Sequence, residues 1–221
     1  MKDISWENIE QLTEQEITYL LYKEGKSIKA ISIIRNIDKS LAEKQIIEFR
    51  MNNRIFESAM TTEDIIRNIK KCTREERSLT ISRLPEETVK ELESFAISRL
   101  FESCRDDCSF LLYLLGELKS KKAVPSIMVF LKSSDGIIKR AACSALGKIG
   151  DIRAEEGLIS ALEDKRPQVK EYAIKALGRI GSRNAVEQLK KIEVSTQEKD
   201  YVRRAAKNVL NGIKGTGGSN V

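Results

Sequence analysis

Leu146-Gly147-Lys148-Ile149-Gly150 lies 31 residues after Leu115-Gly116-Glu117-Leu118 and 31 residues before Leu177-Gly178-Arg179-Ile180-Gly181. A degraded copy, Leu210-Asn211-Gly212-Ile213, follows 33 residues on. A motif returning at this interval marks stacked helical units, none of which can bury its apolar face alone. In the middle unit Asp151 is placed to cap a first helix through Ala154, Leu158 and Leu162. Asp164 to Pro167 make a turn, with Pro167 suited to the first position of a helix. A second helix carries Val169, Tyr172, Ala173, Ala176 and Leu177 at the helical spacing i, i+3, i+4, i+7, i+8. Working outward, the columns align between units: Ala123, Ala154 and Ala185; Ile127, Leu158 and Leu189; Ile138, Val169 and Val202; Ala142, Ala173 and Ala206. The small residues let neighbouring helices approach, and the Leu and Ile columns supply one continuous core. Glycines after the second helices suit a left-handed residue and a sharp turn into the next unit.

The run Arg140-Ala141-Ala142-Cys143-Ser144-Ala145-Leu146-Gly147-Lys148-Ile149-Gly150-Asp151 resembles the short HEAT-like repeat of phycobilisome lyases, and Ala154, Leu158, Leu162, Asp164 and Val169 continue it. The resemblance spans about residues 106–214. It implies an all-α fold, a right-handed α-solenoid of HEAT-like helical hairpins, with the second helix of each hairpin on the concave face. Repeats of this type serve bilin lyases, a deoxyhypusine hydroxylase, scaffolds and regulators. The hydroxylase holds its di-iron centre on His-Glu pairs, which a chain without histidine cannot build.

Composition narrows the chemistry further. The absence of histidine excludes His-based acid–base work, Ser-His and Cys-His nucleophile pairs and His-ligated metal. The four cysteines, Cys72, Cys104, Cys108 and Cys143, form no CxxC pair and read as reduced, structural thiols. No catalytic residue, cofactor, metal or small-molecule substrate is expected. No apolar run approaches the ~20 residues of a membrane span. The start, Met1 to Glu10, lacks the basic end and apolar stretch of a secretion signal, so a cytoplasmic protein is expected. Charge is uneven. Residues 1–60 hold 9 basic and 10 acidic side chains, residues 61–109 hold 9 and 11, and residues 110–221 hold 21 and 12. The positive excess therefore belongs to the repeats.

Within the second helices, Lys139, Lys170 and Arg203 form one column, and Arg140, Glu171 and Arg204 form its neighbour. Lys175, Arg179 and Lys207 extend the charge. Two readings stand at this level. The side chains line an electropositive groove for an anionic partner, or they solvate a helix face and pair with acids of adjacent units. The groove reading makes Lys139, Arg140, Lys170, Lys175, Arg179, Arg203 and Arg204 the partner-binding candidates.

The amino-terminal residues, 1–56, follow another pattern. Thr13 and Glu16 match a capping box ahead of Ile17, Leu20 and Leu21. Gly25 closes that helix. Ser27 caps a second helix with Ile28, Ile31 and Ile34 expected inside. Asn36 turns the chain, and Asp38 caps a third helix with Leu41, Ala42, Ile46 and Phe49 expected inside. The stretch Tyr22 to Asp38 resembles the helix-turn-helix of sigma factors and response regulators, and the small unit at the C-terminus of some RecQ-like helicases. Ser32, Asn36 and Ala42 depart from that pattern. The resemblance implies DNA contact by the third helix through Lys39, Ser40, Lys44 and Gln45, with Lys29 and Arg50 among the residues able to meet phosphates. Glu43 and Glu48 oppose it, and a three-helix unit serving only as a cap stands beside it.

Residues 57–105 read as an irregular helical connector, and residues 215–221, rich in glycine, as a flexible tail. The sequence therefore predicts a non-enzymatic adaptor or regulator. Its repeats bind a protein, or nucleic acid, along their surface, and DNA is a possible second partner of the terminal unit. A pure protein scaffold and a HEAT-scaffold enzyme related to bilin lyases are the alternatives.

Overall fold

The computed structural model describes residues 5–55, 61–82 and 84–216. All regular structure among them is helical. The chain divides into two compact units, residues 1–83 and 84–221, so the stretch read as a connector is shared between them.

In the first unit a 3₁₀ turn, Trp6–Gln11, precedes α1 (Glu14–Lys23), α2 (Ile28–Arg35), α3 (Lys39–Ile55), α4 (Thr62–Lys71) and α5 (Arg74–Ser82). The punctuation of the sequence explains the breaks. Thr13 and Glu16 form the expected capping box, with the Thr13 amide donating to Glu16 Oε2 at 2.7 Å. Ser27 accepts from the Ala30 amide. Asn36 ends α2 in the left-handed region at φ 50°. Leu21, Ile31, Ala42 and Ile46 make the core of α1–α3, with Trp6, Tyr19, Ile28 and Ile37 packed on it. Two expected core residues lie elsewhere: Ile34 and Leu41 are exposed, as is Ile33. Helix α2 has only eight residues, and its one fully buried position is Ile31.

The second unit comprises α6 (Glu86–Arg99), α7 (Arg105–Glu117), α8 (Val124–Val129), α9 (Gly136–Ile149), α10 (Glu155–Ala161), α11 (Pro167–Ile180), α12 (Val186–Val194) and α13 (Asp200–Thr216). Helix α13 runs two residues into the segment expected as tail, and residues 217–221 lie outside the described residues. Helices pair as α6–α7, α8–α9, α10–α11 and α12–α13, and α7, α9, α11 and α13 then pack in sequence as one continuous layer. This is an α-solenoid of helical hairpins. Every residue of the columns Ala123/Ala154/Ala185 and Ile127/Leu158/Leu189 is fully buried, as are Ala142, Ala173 and Ala206. The first helices are short because each opens on a polar cap in a further 31-residue column: Ser120, Asp151 and Ser182 accept from Ala123, Arg153 and Ala185 amides. Asp151 thus caps a 3₁₀ turn, Ile152–Ala154, that leads into α10 rather than capping α10 itself.

The second helices end alike. Gly150 and Gly181 close α9 and α11 at φ 71° and 72°. At the equivalent place after α7 stands Lys119, at φ 53°. A side chain in this region costs about 1–2 kcal/mol that glycine avoids. Lys119→Gly is therefore expected to stabilise the chain by about 1 kcal/mol. The check is a rise in the thermal midpoint by far-UV circular dichroism; an unchanged or lower midpoint counts against the assignment.

Candidate functional site

The positive charge of the repeats collects on the second-helix layer. Helices α9, α11 and α13 carry ten Lys and Arg against two acids, Glu171 and Asp200. The structure then divides those cations into two sets. Lys139 Nζ donates to Asp164 Oδ2 at 2.6 Å, and Asp164 lies in the turn before α11. One repeat on, Lys170 makes the same bond to Glu198, in the turn before α13. Arg203 pairs with Asp200 on its own helix, and Lys175 Nζ donates to Glu171 at 2.5 Å. The column Lys139, Lys170 and Arg203 is thus engaged, and its first two members are clasps between successive repeats. The two lysines follow the second reading of the sequence, pairing with acids next to the adjacent repeat. They are spent on carboxylates in the interhelical turns, which no helical periodicity reveals.

Arg140, Arg179, Arg204 and Lys207 form the other set. They make no ion pair or hydrogen bond among the described residues. Arg140 is the most enclosed of the four. It sits midway along the layer, between two hollows of about 250 Å³ each that share Ile137 and Arg140. Tyr113 of α7 and Tyr172 of α11 wall the first, and Ala141 and Ser144 of α9 form its floor. The second hollow is bounded by Arg105, which holds Asp135 at 2.7 Å, and by Arg166, which holds Asp164 and the Ser134 carbonyl. Ile137 and Tyr172 are exposed, at 41% and 37%. Tyr113 is held in place by Lys148, whose ammonium lies 4.4 Å from the ring centroid and 2.6 Å from Glu117 Oε1. Apolar side chains, two tyrosines and an arginine without a counterion therefore converge, the composition that dominates energetic centres of protein interfaces. Sequence reading found Arg140 but missed Ile137, Tyr113 and Tyr172 as a group, because they come from three different repeats.

The terminal unit places its candidates differently. Lys29, Lys39, Ser40 and Lys44 are exposed, and Lys44 lies 4.0 Å from Glu48. Gln45, the candidate for reading adenine, is half-buried and accepts from Thr18 Oγ1 at 2.7 Å, so its amide is committed to the α1–α3 contact. The side chain of Arg50 lies outside the described residues.

Cys72, Cys108 and Cys143 are buried and Cys104 is exposed, all unpaired with one another. Burial pushes the Cys143 thiol up to about 12, against the pull of Lys139, so it stays protonated. No helix among the described residues is long and apolar enough to cross a membrane.

This architecture agrees with comparison to known families. The HEAT repeat family matches residues 155–218, and the PBS lyase HEAT-like repeat matches residues 138–164. The carboxy-terminal part of the chain is built of HEAT-type repeats. Among solved structures, one engineered protein of the Northeast Structural Genomics Consortium is similar at 17% identity over 91% of this chain and 90% of its own, with a TM-score of 0.48. A second from the same consortium is 17% identical over 94% of this chain and 66% of its own, with a TM-score of 0.47. No curated protein matches the sequence.

Proposed function

We propose that the chain is a non-enzymatic adaptor whose HEAT-type repeats hold a protein partner on the layer formed by α7, α9, α11 and α13. The observation that carries this reading is the unpaired Arg140, set among exposed Ile137 and Tyr172 on a layer whose other lysine column is consumed by inter-repeat ion pairs. Arginine and tyrosine anchors beside an exposed aliphatic side chain fit a protein surface better than a phosphate backbone, which draws its affinity from many free cations. The separation of Arg140, Arg179 and Arg204 over three successive helices suits a partner laid along the stack.

The test is affinity capture from the native cell with the full chain and with the triple variant Arg140→Glu, Arg179→Glu, Arg204→Glu. A protein enriched by the parent and lost with a variant of unchanged helicity supports the reading. Identical protein profiles from the two baits sink it. DNA contact by α3 is separated by titrating duplex DNA at rising salt. Steeply salt-dependent binding, weakened by Lys39→Ala with Lys44→Ala, would move the function to DNA.

A further inference from the structure

The hollow between Tyr113 and Tyr172 is shaped by a local departure from the repeat. The position occupied by Tyr113 in α7 is Ser144 in α9 and Lys175 in α11, and the position occupied by Tyr172 in α11 is Ala141 in α9. The middle helix therefore carries small side chains where both neighbours rise, and Arg140 stands at the edge of the depression. At about 250 Å³ it falls below the ~300–1,000 Å³ of small-molecule pockets and matches a single large side chain.

We infer that this hollow is a recognition pocket for an acidic peptide segment, taking one aromatic or branched apolar side chain between Tyr113 and Tyr172 and a neighbouring carboxylate on Arg140. The inference rests on the proposed protein-binding reading and assigns its centre. Charge decides the class of ligand. Around the two hollows Arg105, Arg166, Lys148 and Lys175 are matched by Asp135, Asp164, Glu117 and Glu171. Asp164 serves both Arg166 and Lys139, and the one guanidinium around the hollows without any partner is that of Arg140, the complement of a single carboxylate. The apolar walls reward a buried side chain, and the preformed tyrosines lose little conformational freedom on binding.

The experiment selects a displayed library of random 12-residue peptides against the full chain and measures the selected peptides by fluorescence anisotropy, with the oligonucleotide dT20 as a parallel probe. Enriched peptides should place Asp or Glu within two positions of Phe, Tyr, Trp, Leu or Ile. Arg140→Glu should weaken them about 30-fold and Tyr172→Ala about tenfold, as for residues at the centre of an interface. Arg140→Lys, which keeps the charge, should lose only a few-fold. Val129→Glu, on α8, should change nothing. Circular dichroism melts of the variants should match the parent, since Arg140 and Tyr172 carry no hydrogen bond of the fold. Absence of any binding peptide, peptides without the acidic and apolar pairing, or affinities indifferent to Arg140→Glu would overturn the assignment. So would dT20 binding more tightly than any peptide through the same residues. Should the triple variant lose its captured protein while Arg140→Glu and Tyr172→Ala do not, the adaptor reading stands and the hollow assignment falls.

Discussion

Gly147→Val is expected to lower the thermal midpoint of the repeat unit by about 10 °C, corresponding to about 3 kcal/mol or more. Gly147 lies inside α9, at the crossing with α11. A Cβ built there would stand 2.8 Å from Ala176 Cα and 2.9 Å from its Cβ. The nearer of these atoms is backbone, so the two helices themselves must part. Gly116 repeats the arrangement against Ala145 Cα at 2.9 Å, whereas Gly178 meets the side chain of Val209, with Cγ2 at 2.7 Å. Gly147→Ala should cost less, about 1–2 kcal/mol, because the gain in helix propensity of about 1 kcal/mol offsets part of the overpacking. Gly150→Ala is the control. Nothing lies within 4 Å of its Cβ, and only the left-handed φ of 71° opposes it, for about 1 kcal/mol. Thermal melts of the three variants order the effects; a Gly147→Val midpoint equal to that of Gly150→Ala would refute close approach as the reason for this column. The same spacing sets the distance between Tyr172 on α11 and the floor residues on α9. Gly147→Ala should therefore weaken peptide capture without touching the hollow.

The glycine of the recurring motif shows what a sequence reports and what it hides. The period, the buried Leu and Ala columns and the second-helix ends were legible because each residue's role depends on its own repeat. Leu115, Leu146 and Leu177 are all fully buried where the 31-residue alignment puts them. The role of Gly116, Gly147 and Gly178 depends on the facing residue of the next repeat, which appears only once the helices are in register. The basic column left two readings open for the same reason. Lys139 and Lys170 look free along their helices, yet their carboxylates are 25 and 28 residues away in turns that carry no apolar period. In the terminal unit the eight residues of α2 hold isoleucine at 28, 31, 33 and 34, which spreads apolar side chains over more than one face. Periodicity alone could not choose between Ile31, which is buried, and Ile34, which is exposed. The hollow was least legible of all, since its walls and floor are sequence-distant and its Arg140 differs from its neighbours only by lacking a partner.

Asp164→Ala is the second large effect, with an expected loss of about 2–3 kcal/mol. The side chain is 5% exposed, and its oxygens hold three donors: Lys139 Nζ at 2.6 Å, the Arg166 amide at 2.9 Å and the Arg166 guanidinium at 3.3 Å. Removing it strands the Lys139 ammonium at 19% exposure and uncaps the turn before α11. Some access to water remains at the lysine, which places the loss below the upper end of ~3–5 kcal/mol for a broken buried pair. Lys139→Met in the Asp164→Ala background should restore part of the loss by removing the stranded charge, but not the part owed to Arg166. The pH dependence has a fixed sign. Burial pushes the Asp164 carboxyl up, but the Lys139 hydrogen bond, the Arg166 amide and both positive charges outweigh it and hold the group below its ordinary 3.8. Its contribution is therefore fully present above pH ~4 and disappears as pH falls through the lower native value. Denaturant unfolding of parent and Asp164→Ala should differ by a constant amount from pH 7 to about 5, and the difference should narrow below about 4. A gap that stays constant at low pH would mean that Asp164 acts through packing of the turn and not through its charge.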